Sequence, residues 1–145
     1  MKKFLYILAA LVSLGIAGHN ARAGEQKDVL EDRVHTLNSM ADKRGDFKMA
    51  LHDVSVETGV PMDKLQQMHN QHPDAGAGGI MVACVLADDT KKPAEHFLSS
   101  HVNGKGWAEI ARQNSVPLDR INGRLDRLEH DFSLKPTGRD TSRHY

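Results

Sequence analysis

The sequence predicts an all-α fold, a small multi-helix domain of two pseudo-repeated helical hairpins around a central apolar helix. Three observations support this prediction. Apolar residues recur every three or four positions, and strand-like alternation is absent. Pro61, Pro93 and Pro117 each open a new apolar series, as proline does in a first helical turn. A segment of about a dozen residues also occurs twice, at a constant offset of 56 residues.

Residues 1–23 are predicted to form a cleavable signal peptide. Lys2 and Lys3 precede a 14-residue, mainly apolar stretch at 4–17, and 21–23 (Ala-Arg-Ala) has the small-x-small pattern of a cleavage site. The stretch is shorter than the roughly 18–20 apolar residues that span a bilayer, so the pattern favours cleavage over an anchor. We therefore expect a periplasmic or secreted protein that begins at Gly24 and has no stable membrane insertion.

Three helices are predicted in the first half of the mature chain. The first covers about 26–42 and the second about 47–58, and the third begins at Pro61 after the break at Gly59. Proline suits a first helical turn because its missing N–H has no intrahelical partner there. Asp63 then places a negative charge near the positive end of the helix dipole. The apolar positions that define the three helices are Leu30, Val34, Leu37, Ala41, Phe47, Leu51, Val54, Met62, Leu65 and Met68.

The middle of the chain combines a glycine-rich segment with an apolar one. Residues 73–79 are predicted to be a loop that acts as a flexible hinge between the halves. A phosphate-binding loop is the alternative, but the Lys-Ser/Thr pair that such a loop requires is absent. Residues 80–87 are apolar on all sides, which is typical of a buried helix. A buried strand is the alternative, but no second strand is available to pair with it. A polar turn is predicted over 88–92.

The second half is predicted to contain three further helices. Pro93 opens a short helix that ends near 103–104, and the next covers 107–114. The last runs from 117 to about 132, with Ile121, Leu125, Leu128 and Phe132 on one face. Residues 133–145 are polar and are predicted to be a disordered tail. Residues 24–132 therefore form one predicted helical domain.

The repeat aligns residues 54–65 with 110–121, within predicted units of about 47–70 and 106–132. Both copies have Val-Pro, an apolar residue, Asp and a basic residue in the same order. Small and aliphatic residues surround the turn at corresponding positions, namely Ser55, Gly59, Val60 and Leu65 in the first copy and Ala111, Ser115, Val116 and Ile121 in the second.

These residues resemble a helix-turn-helix unit, and the resemblance implies that the second helix can enter a DNA major groove. That helix would present Arg120, Arg124 and Arg127. The chain also resembles short exported bacterial helical proteins of unassigned function, which carry a Trp-x-x-Ile-Ala and Val-Pro unit. This second resemblance implies the fold and the location only.

The charge balance argues against nucleic acid as the ligand. The chain has 19 basic and 19 acidic residues, and loss of residues 1–23 removes three basic ones, which leaves a net charge of −3. Residues 24–104 carry −5 and residues 105–145 carry +2. Because phosphate contacts dominate affinity for nucleic acid, a helix-turn-helix DNA-binding function is the least favoured hypothesis.

Few residues indicate catalysis or metal binding. Cys84, the single cysteine, lies within the apolar run and is predicted to be a small buried hydrophobe. No nucleophile, paired-carboxylate or dinucleotide pattern is evident, so we expect a protein that is not an enzyme. Met68, His69 and His72 form an alternative copper or zinc site, since thioether and imidazole are suitable ligands. Capping and surface histidines, with methionine in the core, explain the same residues without a metal.

The sequence therefore favours an exported soluble helical protein with a non-catalytic binding or accessory role in the cell envelope. Its predicted contact surface is the second hairpin, with Trp107, Arg120, Arg124 and Arg127. The expected partner is another envelope protein, with no cofactor and no nucleic acid. The alternative is a periplasmic copper- or zinc-binding protein.

Overall fold

Seven α-helices follow one another along the part of the chain that the computed structural model describes, residues 17–134, with side chains described from Val29 onward. No strand occurs within this range, so the predicted all-α class is confirmed. Within the same range, no helix combines the length and apolarity needed to cross a bilayer. The helices are α1 (Ala17–Lys43), α2 (Phe47–Thr58), α3 (Met62–Gln71), α4 (Gly76–Thr90), α5 (Ala94–Val102), α6 (Trp107–Gln113) and α7 (Leu118–Leu134).

Helix α4 lies at the centre of the fold. Its residues 77–86 are all buried, and it packs against α1, α2, α3, α5 and α7. A helix that is apolar all round must be covered on every side, and the surrounding helices provide that cover. The predicted central helix is confirmed, although it is longer than the apolar run at 80–87.

The predicted loop and hinge at 73–79 are wrong. Residues Pro73–Ala75 form one 3-10 turn, and α4 already begins at Gly76. A Cβ atom on Gly78 would lie 2.9 Å from the backbone oxygen of Val34, and one on Gly79 would lie 3.4 Å from Cζ2 of Trp107. The glycines therefore allow α1 and the indole ring to approach α4 closely, and the segment is a packed helix crossing.

Asn38 fixes the first turn of α4 from the neighbouring helix α1. Its Nδ2 donates to the carbonyl oxygen of Ala75 at 3.0 Å, and its Oδ1 accepts from the N–H of Gly78 at 2.8 Å. The first amides of a helix have no intrahelical partner, so one side chain satisfies a donor that a local N-cap residue would normally serve.

The predicted polar turn at 88–92 also needs correction. Helix α4 continues through Thr90 and ends at Lys91, which has the left-handed φ of 60° common in C-caps. Thr90 donates its hydroxyl to the carbonyl oxygen of Leu86 at 2.6 Å. The half-buried hydroxyl of Thr90 is thus hydrogen-bonded within the last turn of the helix.

The α2–α3 and α6–α7 connections share a backbone feature. Gly59 has φ of 72° and Ser115 has φ of 57°, and each precedes a Val-Pro pair. These left-handed residues reverse the chain between two helices in both segments. The pseudo-repeat of the complete units stays a prediction, since the similarity described here concerns the turns.

The first and last helices extend beyond their predicted bounds. Helix α1 begins at Ala17, earlier than the predicted start near residue 26, and α7 reaches Leu134, two residues into the predicted tail. Residues 1–16 of the predicted signal peptide and 135–145 of the predicted tail lie outside the described residues.

Candidate binding cleft

Trp107 is part of the core and cannot belong to an exposed contact surface. Its side chain is 0% exposed, and its ring stacks on the imidazole of His101 with centroids 4.3 Å apart. Its backbone N–H donates to Oε1 of Glu31 at 2.6 Å, which fixes the start of α6 against α1. The prediction that Trp107 belongs to the contact surface is therefore wrong. The neighbouring helices bury this large apolar ring at the start of a short helix.

Arg120, Arg124 and Arg127 point toward carboxylates of neighbouring helices. Nη2 of Arg120 lies 2.7 Å from Oδ1 of Asp89 on α4. Nε of Arg127 lies 2.8 Å from Oε2 of Glu57 on α2, and Arg124 donates to the backbone oxygen of Glu57 at 2.5 Å. These contacts join α7 to α2 and α4. The three arginines of the predicted basic face thus have partners within the fold, although the side chains of Arg120 and Arg127 are still about half exposed.

Met68, His69 and His72 occupy different surroundings. Met68 is 4% exposed in the core, and the ring of His69 packs on Phe47 at a centroid distance of 4.1 Å. His72 follows the end of α3. Within residues 29–134, no three His, Cys, Asp or Glu side chains are grouped as a metal site would require. Copper or zinc binding stays a prediction that no contact in this region supports, and calorimetric titration with either ion tests it.

Cys84 behaves as the sequence predicts, as a buried apolar residue. It is 3% exposed within α4 and forms no disulfide. Burial raises the pKa of its thiol to about 12, and the Glu95 carboxylate acts in the same direction. Because the thiolate is the nucleophilic form, this environment suppresses reactivity.

An open cleft of about 550 Å³ lies where the end of α4 meets the α6–α7 turn. The end of α4 and the residues after it supply one wall, while the end of α6, the following turn and the start of α7 supply the other. The lining residues are Asp89, Thr90, Lys92, Gln113, Asn114, Ser115, Val116 and Arg120. Almost all of these side chains are polar and none is aromatic, so the cleft presents hydrogen-bonding groups and no stacking platform.

Lys92 and Asn114 bridge the two walls of the cleft. Nζ of Lys92 donates to Oδ1 of Asn114 at 2.7 Å, while Nδ2 of Asn114 donates to the backbone oxygen of Ile110 at 2.8 Å. The second bond orients the amide so that its oxygen faces the ammonium group. Lys92 is thus held at the cleft by a neutral partner.

The charges around the cleft divide into paired and unpaired ones. Arg120 is paired with Asp89 and lies 3.7 Å from Asp88, which also pairs with Lys91. Within the described part of the chain, Lys92 makes no ion pair, because its only side-chain partner is the Asn114 amide. One positive charge therefore remains uncompensated at the cleft.

Sequence reasoning identified one residue of this cleft, Arg120, and missed Lys92 and Asn114. The two missed residues are 22 positions apart, and neither belongs to a recognisable motif. The sequence offers only an indirect signal for Asn114, namely its position immediately before Ser115, the left-handed residue of the α6–α7 turn.

Comparison of the chain with protein-family models, with curated proteins and with solved structures finds no match.

Proposed function

We propose that this protein is exported and has a non-catalytic binding or accessory role in the cell envelope, with the cleft as its contact site. The observation that carries the proposal is the position of Lys92, which is exposed at a cleft built from three helices and makes no ion pair with any described residue. A partner that reaches this cleft meets hydrogen-bonding groups already fixed by rigid elements. Such preorganisation favours binding because little side-chain entropy is lost.

The proposal moves the contact site from the predicted second hairpin to the cleft between that hairpin and the end of α4. Trp107 supports the hairpin from inside, and Arg124 and Arg127 attach α7 to α2. Arg120 also lines the cleft, on the same wall as Asn114. Another envelope protein remains the proposed partner, and no cofactor is needed for this role.

Export is tested by the mass of the native protein after cell fractionation. We expect a periplasmic or secreted form that starts at Gly24. A cytoplasmic form that starts at Met1 would contradict the proposed location and would reopen the DNA-binding alternative.

The contact site is tested by photo-crosslinking in the native envelope. A photoreactive phenylalanine analogue at Gln113, which lines the cleft, is compared with the same analogue at Gln67, an exposed residue of α3 outside it. We expect a discrete adduct from position 113 that Lys92→Gln reduces, and none from position 67. Equal adducts from both positions, or none from position 113, would overturn the proposed contact site.

A further inference from the structure

We infer that the cleft recognises an oxyanion group, either a carboxylate or a phosphate, through Nζ of Lys92. This inference rests on the proposed function, because it names the ligand class of the same contact site. It follows from the balance of charge, the free hydrogen-bond donors and the absence of aromatic side chains at the cleft.

The charge at the cleft favours an anionic over a cationic ligand. Asp89 is the only carboxylate in the lining, its side chain is 13% exposed, and it is already paired with Arg120. A cation would have to displace that guanidinium. An anion finds Lys92, which makes no ion pair within the described residues.

The donors that remain free at the cleft match an oxyanion. An ammonium group has three protons, and Lys92 uses one of them on Asn114. The hydroxyl of Ser115 is exposed at the same turn and makes no hydrogen bond within the described residues. Thr90 cannot contribute as a donor, because its hydroxyl already donates to Leu86. The ammonium is thus the principal contact and the hydroxyl the second one.

The lining also argues against sugars and nucleobases. These rings bind by stacking on aromatic faces in addition to hydrogen bonding. The nearby aromatic residue of α6, Trp107, is fully buried and is not part of the lining. Recognition at the cleft therefore depends on charge and hydrogen bonds, which a compact carboxylate or phosphate satisfies.

Amide chemical shifts of the mature protein, followed during titration with inorganic phosphate and separately with succinate at constant ionic strength, test this inference. We expect saturable shifts at the amides of Lys92, Asn114 and Ser115 with at least one anion. The comparison of the two titrations shows whether phosphate or carboxylate is preferred. Lys92→Gln should weaken binding roughly tenfold, as expected for loss of a charge-assisted hydrogen bond.

Lys48→Gln is the matched control, since Lys48 lies exposed on α2 away from the cleft and forms no ion pair within the part of the chain that the structure describes. Its affinity should stay within about twofold of the wild-type value, because screened charges at a distance act weakly. Absence of saturable shifts with both anions, or equal binding by the Lys92→Gln protein, would overturn the inference. A crosslink from position 113 together with no anion binding would overturn the ligand class and leave the contact site standing.

Discussion

At the scale of single residues, the presence or absence of a carboxylate partner distinguishes the basic side chains of this protein. Arg127 and Arg120 are conspicuous in the sequence, yet each is committed to a carboxylate on another helix. Lys92 belongs to no motif and keeps its charge available at the cleft. A basic residue on a helix face is therefore informative about binding only after its internal partners are known.

Cys84 gives a prediction about reactivity. Because burial raises the pKa of the thiol to about 12, the thiolate is scarce at neutral pH. The folded protein should react with a disulfide reagent far more slowly than the same protein in denaturant. The rate of thiol modification in the two states measures this, and equal rates would show that the thiol is accessible in the folded protein.

The same residue predicts a pH dependence of stability. The folded-state pKa of Cys84 is about 12 and its ordinary value is 9.0, so the thiol form is stabilised in the folded protein. Its contribution to stability is complete below pH 9.0 and is lost as the pH rises from there toward 12. Above pH 9.0, the free energy of unfolding of the wild type should therefore fall more steeply with pH than that of Cys84→Ala. The difference between the two slopes should be roughly 1 kcal/mol per pH unit.

Denaturant unfolding of both proteins across that alkaline range gives the two slopes. The comparison uses slopes because Cys84→Ala also removes buried volume and lowers stability at every pH. Parallel pH profiles would contradict the assigned environment of the thiol.

At the scale of elements, the crossing of α1 and α4 depends on Gly78. A Cβ atom there would lie 2.9 Å from the backbone oxygen of Val34. Gly78→Ala should lower the free energy of unfolding by about 1–3 kcal/mol, because the two helices would have to separate. Gly123→Ala on α7 is the matched control, since a Cβ atom at Gly123 meets nothing within 4 Å.

Gly123→Ala should stabilise the protein by about 0.5–1 kcal/mol, the usual gain from alanine over glycine within a helix. Thermal or denaturant unfolding of the two variants measures both effects. The flexible-hinge interpretation predicts that both substitutions are tolerated, so a stable Gly78→Ala protein would contradict the packed crossing.

The elements that sequence reasoning placed well are those specified by local signals. Helix α2 has the predicted bounds, and α3 begins one residue after Pro61. The glycine-rich start of α4 was missed because its stability is tertiary, supplied by Asn38 and by the close approach of α1. The cleft was missed for a similar reason, since Lys92 and Asn114 meet only where the end of α4 comes near the α6–α7 turn.

At the scale of the whole molecule, a buried ion pair connects three parts of the fold. Nη1 of Arg44, just after α1, lies 2.8 Å from Oδ2 of Asp53 on α2, and both side chains are almost fully buried. The guanidinium of Arg44 also lies over the ring of Phe132 near the end of α7, 4.9 Å from its centroid. Removal of Arg44 takes away the guanidinium that lies closest to this buried carboxylate, and loss of one member of a buried ion pair is strongly destabilising.

Arg44→Met should therefore lower the free energy of unfolding by about 3–5 kcal/mol. The double variant Arg44→Met/Asp53→Leu should recover part of that loss, because it leaves no buried charge at this position. Denaturant unfolding of the single and double variants measures the effect. If the double variant is the less stable of the two, the cost assigned to the loss of the guanidinium beside the buried Asp53 carboxylate is wrong.

The distinction between structural and binding cations is tested most directly by two variants in one crosslinking experiment. Lys92→Gln and Arg127→Gln each remove one positive charge, from the cleft and from the α2–α7 contact respectively. We expect Lys92→Gln to reduce the crosslink from position 113 and to lower stability by no more than about 1 kcal/mol, because one exposed hydrogen bond to Asn114 is altered. Arg127→Gln should lower stability by about 0.5–1 kcal/mol, the usual value of an exposed ion pair, and retain the crosslink. A folded Arg127→Gln protein that loses the crosslink, with Lys92→Gln unaffected, would contradict the assignment of the cleft as the contact site.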